Sequence, residues 1–367
     1  MEKKTMIMSC KKNIIIFLNL LPFCMAFSQN SLETRNYLKT FPVGRESVLE
    51  VDNKYGTIEI TSWNKDSAFI RAEIKATAPN QSKLEKMFDG ISVNITATGN
   101  LLLARTQFTQ NINALFENFK GMTNKVIEYN SKVEINYFIN VPEYLNLRIE
   151  NRYGDVFIEK NTGDFSLSIS NGSFKADSPG KKSTLNLSFC DATITNLKSG
   201  SIDASFSEVS LNDVEKISLK SISSKYRINK AAEVKIESRR DDFVIDQVGI
   251  LEGNSYFTNF EIKSLVKTVI LISRYGNLEI DNIGKSFESA NINSGFSEIS
   301  LEFDPLTSYK FEIRTLNTFL SLPSGNKTEK RTLNEDKKEY ITTGTAGSDP
   351  GTRLLKIDSN RGKIYLK

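Results

Sequence analysis

The stretch Asn151-Arg152-Tyr153-Gly154-Asp155-Val156-Phe157-Ile158 decides the fold, because the sequence repeats its grammar. Asn53-Lys54-Tyr55-Gly56-Thr57-Ile58-Glu59-Ile60 precedes it and Ser273-Arg274-Tyr275-Gly276-Asn277-Leu278-Glu279-Ile280 follows it. A weaker copy, Arg361-Gly362-Lys363-Ile364-Tyr365-Leu366, comes later still. Self-similarity of this kind marks a stacked-repeat architecture. Aligned on the first apolar residue after the turn, the column reads Val156, Phe174, Ala192, Val209, Tyr226, Phe243, Phe260, Leu278, Ile299 and Leu320. Two residues on stand Ile158, Ala176, Ile194, Leu211, Ile228, Ile245, Ile262, Ile280, Leu301 and Leu322, all apolar, with mostly polar residues between. That is strand alternation recurring at a longer period of about 17 to 18 residues, widening near the end.

A second alternating strand precedes each turn, as in Leu145/Leu147/Ile149, Phe165/Leu167/Ile169 and Leu185/Leu187/Phe189. A unit of strand, tight turn, strand and looser turn is too small to bury its own apolar face. It must stack on its neighbours, each strand pairing in parallel with its equivalent. The expectation is an all-β parallel β-solenoid (β-helix) over residues 145–367. Residues 29–144 are expected to form an N-terminal β cap, with strands near Val48–Val51, Ile58–Ser62, Phe69–Thr77, Ile91–Thr96, Leu101–Phe108 and Val133–Val141. Two short helices interrupt that cap: Ser82–Phe88, with Leu84, Met87 and Phe88 on one face, and Asn111–Phe119. Phe108, Phe116, Phe119 and Met122 either pack over the sheet edge or sit on a projecting contact loop. The turn residues Gly56, Gly154, Gly276 and Gly362 are expected to supply positive φ.

Residues 1–28 have a different character: lysines at 3, 4, 11 and 12, an apolar run from Ile14 to Phe27, then Ser28. This is the order of a secretory signal peptide, with cleavage expected after Ser28 and no transmembrane span in the mature chain. Cys24 leaves a lipoprotein reading open. The 48 basic and 44 acidic residues of the full chain fall to 44 and 43 without the leader, too even for the basic stripe that nucleic acid requires. Of the three cysteines only Cys190 lies outside the leader, so no internal disulfide is available. It reads as a small buried apolar residue.

Histidine is absent, which removes imidazole acid/base chemistry, His-containing triads and His-ligated metals. The charged run Ser238-Arg239-Arg240-Asp241-Asp242 reads as solvated turn charges. The acids Asp155, Asp191, Glu208, Asp242 and Glu298 recur at turns, but Ser173, Lys225, Asn259 and Asn277 interrupt the column, against a calcium ladder. No two acids and a base gather across adjacent coils, as a β-helical polysaccharide-degrading enzyme would need. The sequence therefore supplies no catalytic residue, cofactor-binding residue, metal ligand or cofactor. The pre-turn aromatics Tyr153, Phe189, Phe206, Phe257, Tyr275 and Phe296 are expected to pack inside as a corner ladder, with an exposed glycan platform as the alternative.

The strand Ser47–Val51 leading into Tyr55-Gly56-Thr57-Ile58-Glu59-Ile60, and Ile139-Asn140-Val141-Pro142 before Leu145–Ile149 and Tyr153-Gly154-Asp155-Val156, resemble bacterial adhesin-like families of unknown function, of the head-GIN type, built from β-solenoid repeats. The resemblance runs from about residue 42 to 367. It implies a noncatalytic exported protein of the periplasm or outer surface of a Gram-negative bacterium. An adhesin or interaction scaffold is the first reading and a periplasmic scaffold or sensor in envelope homeostasis the second, with a cell-surface glycan or envelope protein as partner. It carries over no site residues.

Overall fold

The structure, a computed structural model, describes residues 30–109, 131–324 and 327–367. It is all-β apart from one helix among the described residues, and the strands join one large sheet of mixed orientation.

The expected column is realised as a ladder of parallel partners. Val156 lies beside Phe174, Phe174 beside Ala192, then Val209, Tyr226, Phe243, Phe260, Leu278 and Ile299 in turn. Every one of these side chains is buried. The repeat thus places like residues on like residues. Tyr226, Phe243 and Phe260 stack face to face at centroid distances of 4.6 and 5.1 Å, close to the spacing of neighbouring strands, about 4.8 Å. We call each strand–corner–strand unit a rung.

The Tyr55-Gly56 copy is itself a rung. Its strands Val48–Lys54 and Ile58–Trp63 pair in parallel with Asn146–Arg152 and Val156–Lys160. On their other side lie Leu101–Phe108 and Lys132–Pro142, also parallel. Antiparallel pairing then takes over: Ser67–Ala78 runs between Lys132–Pro142 and Ser31–Pro42, and Ile91–Thr98 folds back on Leu101–Phe108.

The helix α1, Gln81–Asp89, is capped by Asn80, whose side chain accepts from the Lys83 N–H at 3.0 Å. It buries Leu84, Met87 and Phe88, the face read from the sequence. The expected 111–119 helix and the Phe116, Phe119 and Met122 of the contact loop lie outside the described residues.

The C-terminal stacking order departs from chain order. Ile299 does not meet Leu320; both pair with Ile364, from opposite sides. Leu354–Asn360 likewise sits between Ser289–Gly295 and Tyr309–Leu316. The rung at 354–366 is therefore inserted between two rungs that precede it in sequence. Beyond it, Tyr309–Leu316, Glu339–Ala346 and Lys327–Asn334 close that end as an antiparallel group.

Candidate functional site

The chain turns from the first strand of a rung to the second through one residue in the left-handed region. Among the described residues, every non-glycine with positive φ except Lys338 occupies this corner: Tyr55, Tyr153, Asn171, Phe189, Phe206, Ser223, Arg240, Phe257, Tyr275, Phe296, Asn317 and Arg361. The expectation that the turn glycines carry positive φ is therefore overturned. The burden falls one residue earlier, mostly on residues with a large side chain, at a cost of roughly 1–2 kcal/mol each. Regular pairing offsets it. The corner N–H donates to the next rung's carbonyl, as from Tyr153 to Ser170 at 2.9 Å, Phe257 to Arg274 at 2.8 Å and Phe296 to Asn360 at 2.9 Å.

The glycines have another duty. A Cβ on Gly154 would land on the Gly56 carbonyl oxygen, one on Gly172 on that of Gly154, and one on Gly276 on that of Thr258. This inner position therefore accepts only compact residues: Gly154, Gly172, Cys190, Ser207, Ser224, Asp241, Thr258, Gly276 and Ser297 in order. Where an oxygen is present it reaches back to the preceding rung. The Cys190 N–H donates to Ser207 Oγ at 3.2 Å, that of Ser207 to Ser224 Oγ at 3.2 Å and that of Ser224 to Asp241 Oδ1 at 2.7 Å.

Asp241 belongs to this ladder and corrects the reading of 238–242 as solvated charges. It is 1% exposed. Its Oδ2 accepts from Ser238 Oγ at 2.6 Å and from the Arg239 N–H at 3.0 Å. Burial nonetheless pushes its carboxyl above the usual aspartate range, the hydrogen bonds pulling the other way. The sequence held the signal, since the column alignment sets Asp241 among small inner residues. Arg239, Arg240 and Asp242 are exposed, as expected. Cys190 is buried, with Sγ donating to the Ser188 carbonyl at 3.0 Å and its thiol pushed upward by burial.

The corner aromatics correct the other expectation. Phe189 and Phe206 are 58% and 55% exposed, and Phe257, Tyr275 and Phe296 are also exposed, whereas Tyr153 is half-buried. A residue in the left-handed conformation projects away from the core here, while the inner position behind it faces the neighbouring rung. The rings stack along the outside: Phe189 on Phe206 at 5.0 Å, Phe257 on Tyr275 at 4.9 Å and Tyr275 on Phe296 at 4.9 Å. Arg361 continues the file, its guanidinium 5.5 Å from the Phe296 ring centre. At the other end Tyr55 stacks on Tyr153 at 5.5 Å and meets Phe108 edge-on at 5.8 Å. Asn171, and then Ser223 with Arg240, divide the ladder into three groups.

Next to this corner, on the face of the preceding strands, a groove of about 450 Å³ runs across four rungs. Its walls include Lys220, Ile222, Glu237, Arg239, Tyr256 and Arg274. Among the described residues no three His, Cys, Asp or Glu side chains converge as a metal site, and no helix is long and apolar enough to cross a membrane.

No described protein family matches the sequence. No curated protein matches it either. Solved structures similar to the chain include a candidate cell adhesion protein from Clostridium sporogenes, with 11% identity and a TM-score of 0.22 over 91% of this chain and 99% of that one. A candidate adhesin from Bacteroides fragilis has 13% identity and a TM-score of 0.27 over 93% and 99%. One from Parabacteroides distasonis has 10% and 0.32 over 91% and 97%. Scores of this size leave fold and function to be argued from the chain itself.

Proposed function

We propose that this chain is a noncatalytic β-solenoid protein, exported to the envelope or surface of a Gram-negative bacterium, where it acts as an adhesin-type interaction scaffold. The observation that carries the reading is the exposed aromatic corner. Large apolar side chains stand outside in a regular file at positions that cost backbone energy, where a soluble rod needs only small polar residues. The signal-like residues 1–28 support export, and the absence of histidine and of gathered acids supports a binding role. The parallel rungs between Asn146 and Phe303 supply a rigid surface with a fixed repeat, and antiparallel strands lie at either end.

Protease treatment of intact cells tests the location. Digestion on intact cells is the expected result. Protection until the outer membrane is permeabilised would place the protein in the periplasm and favour a scaffold or sensor there.

A further inference from the structure

Several lysines of the regular rungs are neutralised by a carboxylate on a neighbouring rung. Lys216 pairs with Glu233, Lys220 with Asp203, Lys225 with Glu208 and Lys263 with Asp246. At the corner beside the groove three arginines gather on adjoining rungs. Among the described residues Arg239, Arg240 and Arg274 have no carboxylate partner. Arg274 is held instead by the Ser273 and Asn293 carbonyls, at 3.0 and 3.1 Å, and by Asn293 Oδ1 at 2.9 Å. The carboxylates nearby are Asp241, already engaged by Ser238 and backbone N–H groups, Asp242, which accepts from Asn259, and Glu237 in the groove wall.

The aromatic rings between these arginines add to the same field. Tyr275 has one face covered by Phe257 and the other by Phe296, with interplanar angles of 16° and 12°, so its exposed part is its rim. Tyr256 stands edge-on to both Phe257 and Tyr275. The rim of an aromatic ring is its positive part. Ring edges and guanidiniums that no carboxylate neutralises together make a positive strip, and the fork of a guanidinium matches carboxylate or sulfate oxygens. Arg239 and Arg274 lie two rungs apart, about 10 Å at the strand spacing, so the strip favours a linear polymer with regularly placed anions.

We infer that the Arg239–Tyr256–Arg274 groove and the Arg240–Phe257–Tyr275 corner beside it bind an acidic polysaccharide, one bearing carboxylate or sulfate groups. This deepens the proposed scaffold function and rests on it for the encounter with a glycan. Single-stranded nucleic acid is disfavoured because bases need open ring faces to stack on, and along Phe257, Tyr275 and Phe296 those faces are largely used up.

The test is affinity electrophoresis and calorimetry of the purified protein with alginate, chondroitin sulfate, neutral dextran and single-stranded DNA. Alginate or chondroitin sulfate is expected to bind, weakening as salt rises, while dextran does not. Which of the two acidic glycans binds tells carboxylate from sulfate recognition. The variant Arg239→Gln/Arg274→Gln, at one exposed and one half-buried position, is expected to weaken binding roughly tenfold or more, and Arg240→Gln by less; Arg239→Gln and Arg240→Gln alone are expected to leave the melting curve unchanged. Lys263→Gln, away from the groove, leaves binding intact. No binding to either acidic glycan, equal binding by the double variant, or DNA binding as tight as glycan binding would overturn the inference. A protein exposed on intact cells that ignores both glycans sinks this inference alone; one shielded from protease sinks the surface reading instead.

Discussion

The middle of the molecule and its two ends solve the same problem in opposite ways. Between Asn146 and Phe303 each strand meets its equivalent in parallel, and stability comes from ladders of like residues such as Tyr226, Phe243 and Phe260. The ends switch to antiparallel strands and finish on charged ones. Among the described residues, Ser31–Pro42 pairs only with Ser67–Ala78 and carries Glu33, Arg35, Lys39 and Pro42. Among the described residues, Lys327–Asn334 pairs only with Glu339–Ala346 and carries Lys327, Glu329, Lys330 and Arg331. An open strand edge recruits further strands unless charge or proline blunts it. The middle is thus built to be continued, and the ends to stop continuation.

The largest test of that contrast lies in the middle. Phe243→Ala removes a buried ring stacked on both sides and is expected to cost about 3–5 kcal/mol in denaturant unfolding; a loss below 1 kcal/mol would break the picture of a close-packed ladder. Gly154→Ala puts a methyl group onto the Gly56 carbonyl and is expected to cost about 1–3 kcal/mol, although Gly154 itself has no left-handed φ. A smaller loss in stability, but a change in state, is expected at the end. Deleting residues 30–42 uncovers Ser67–Ala78, and sedimentation velocity should show larger species; an unchanged profile would mean that the charged end strand is not what limits growth.

Asp241→Asn probes the inner corner. Because burial raises the folded-state carboxyl above its unfolded value of 3.8, the wild type is relatively most stable below that value and loses this part as pH rises through the folded one. Its melting temperature should therefore fall relative to that of Asp241→Asn as the pH rises from below 3.8. Parallel curves would refute a raised carboxyl. The smallest effect is expected at Lys263→Ala, which breaks an exposed pair with Asp246 and should cost less than about 1 kcal/mol.

Much of this architecture was legible because burial in a stacked sheet imposes a period of two inside a longer repeat. Val156 through Ile299 line up in the order read from sequence, and α1 follows from Leu84, Met87 and Phe88. The corner was less legible. An aromatic before a glycine suggests a buried ring and a flexible glycine, whereas here the ring takes the strained conformation outside and the glycine makes room for a carbonyl. Asp241 escaped because a carboxylate in a charged run looks solvated until its neighbours across rungs are known. The place of Ile364 escaped for a different reason: alternation fixes which face a residue occupies but does not say which rung its strand joins.

That inserted rung has a kinetic meaning. Among the described residues, 309–321 find their parallel partners only on 354–366, which are synthesised later, so the C-terminal part of the stack cannot assemble in the order in which it is made. Until 354–366 arrives, the strands Ser289–Gly295 and Tyr309–Leu316 each hold one row of backbone groups open. Closure there waits on contacts distant in sequence, which form slowly. During that interval the growing stack of strands is exposed at one end, while the rungs from Val48 to Arg274 already have their neighbours.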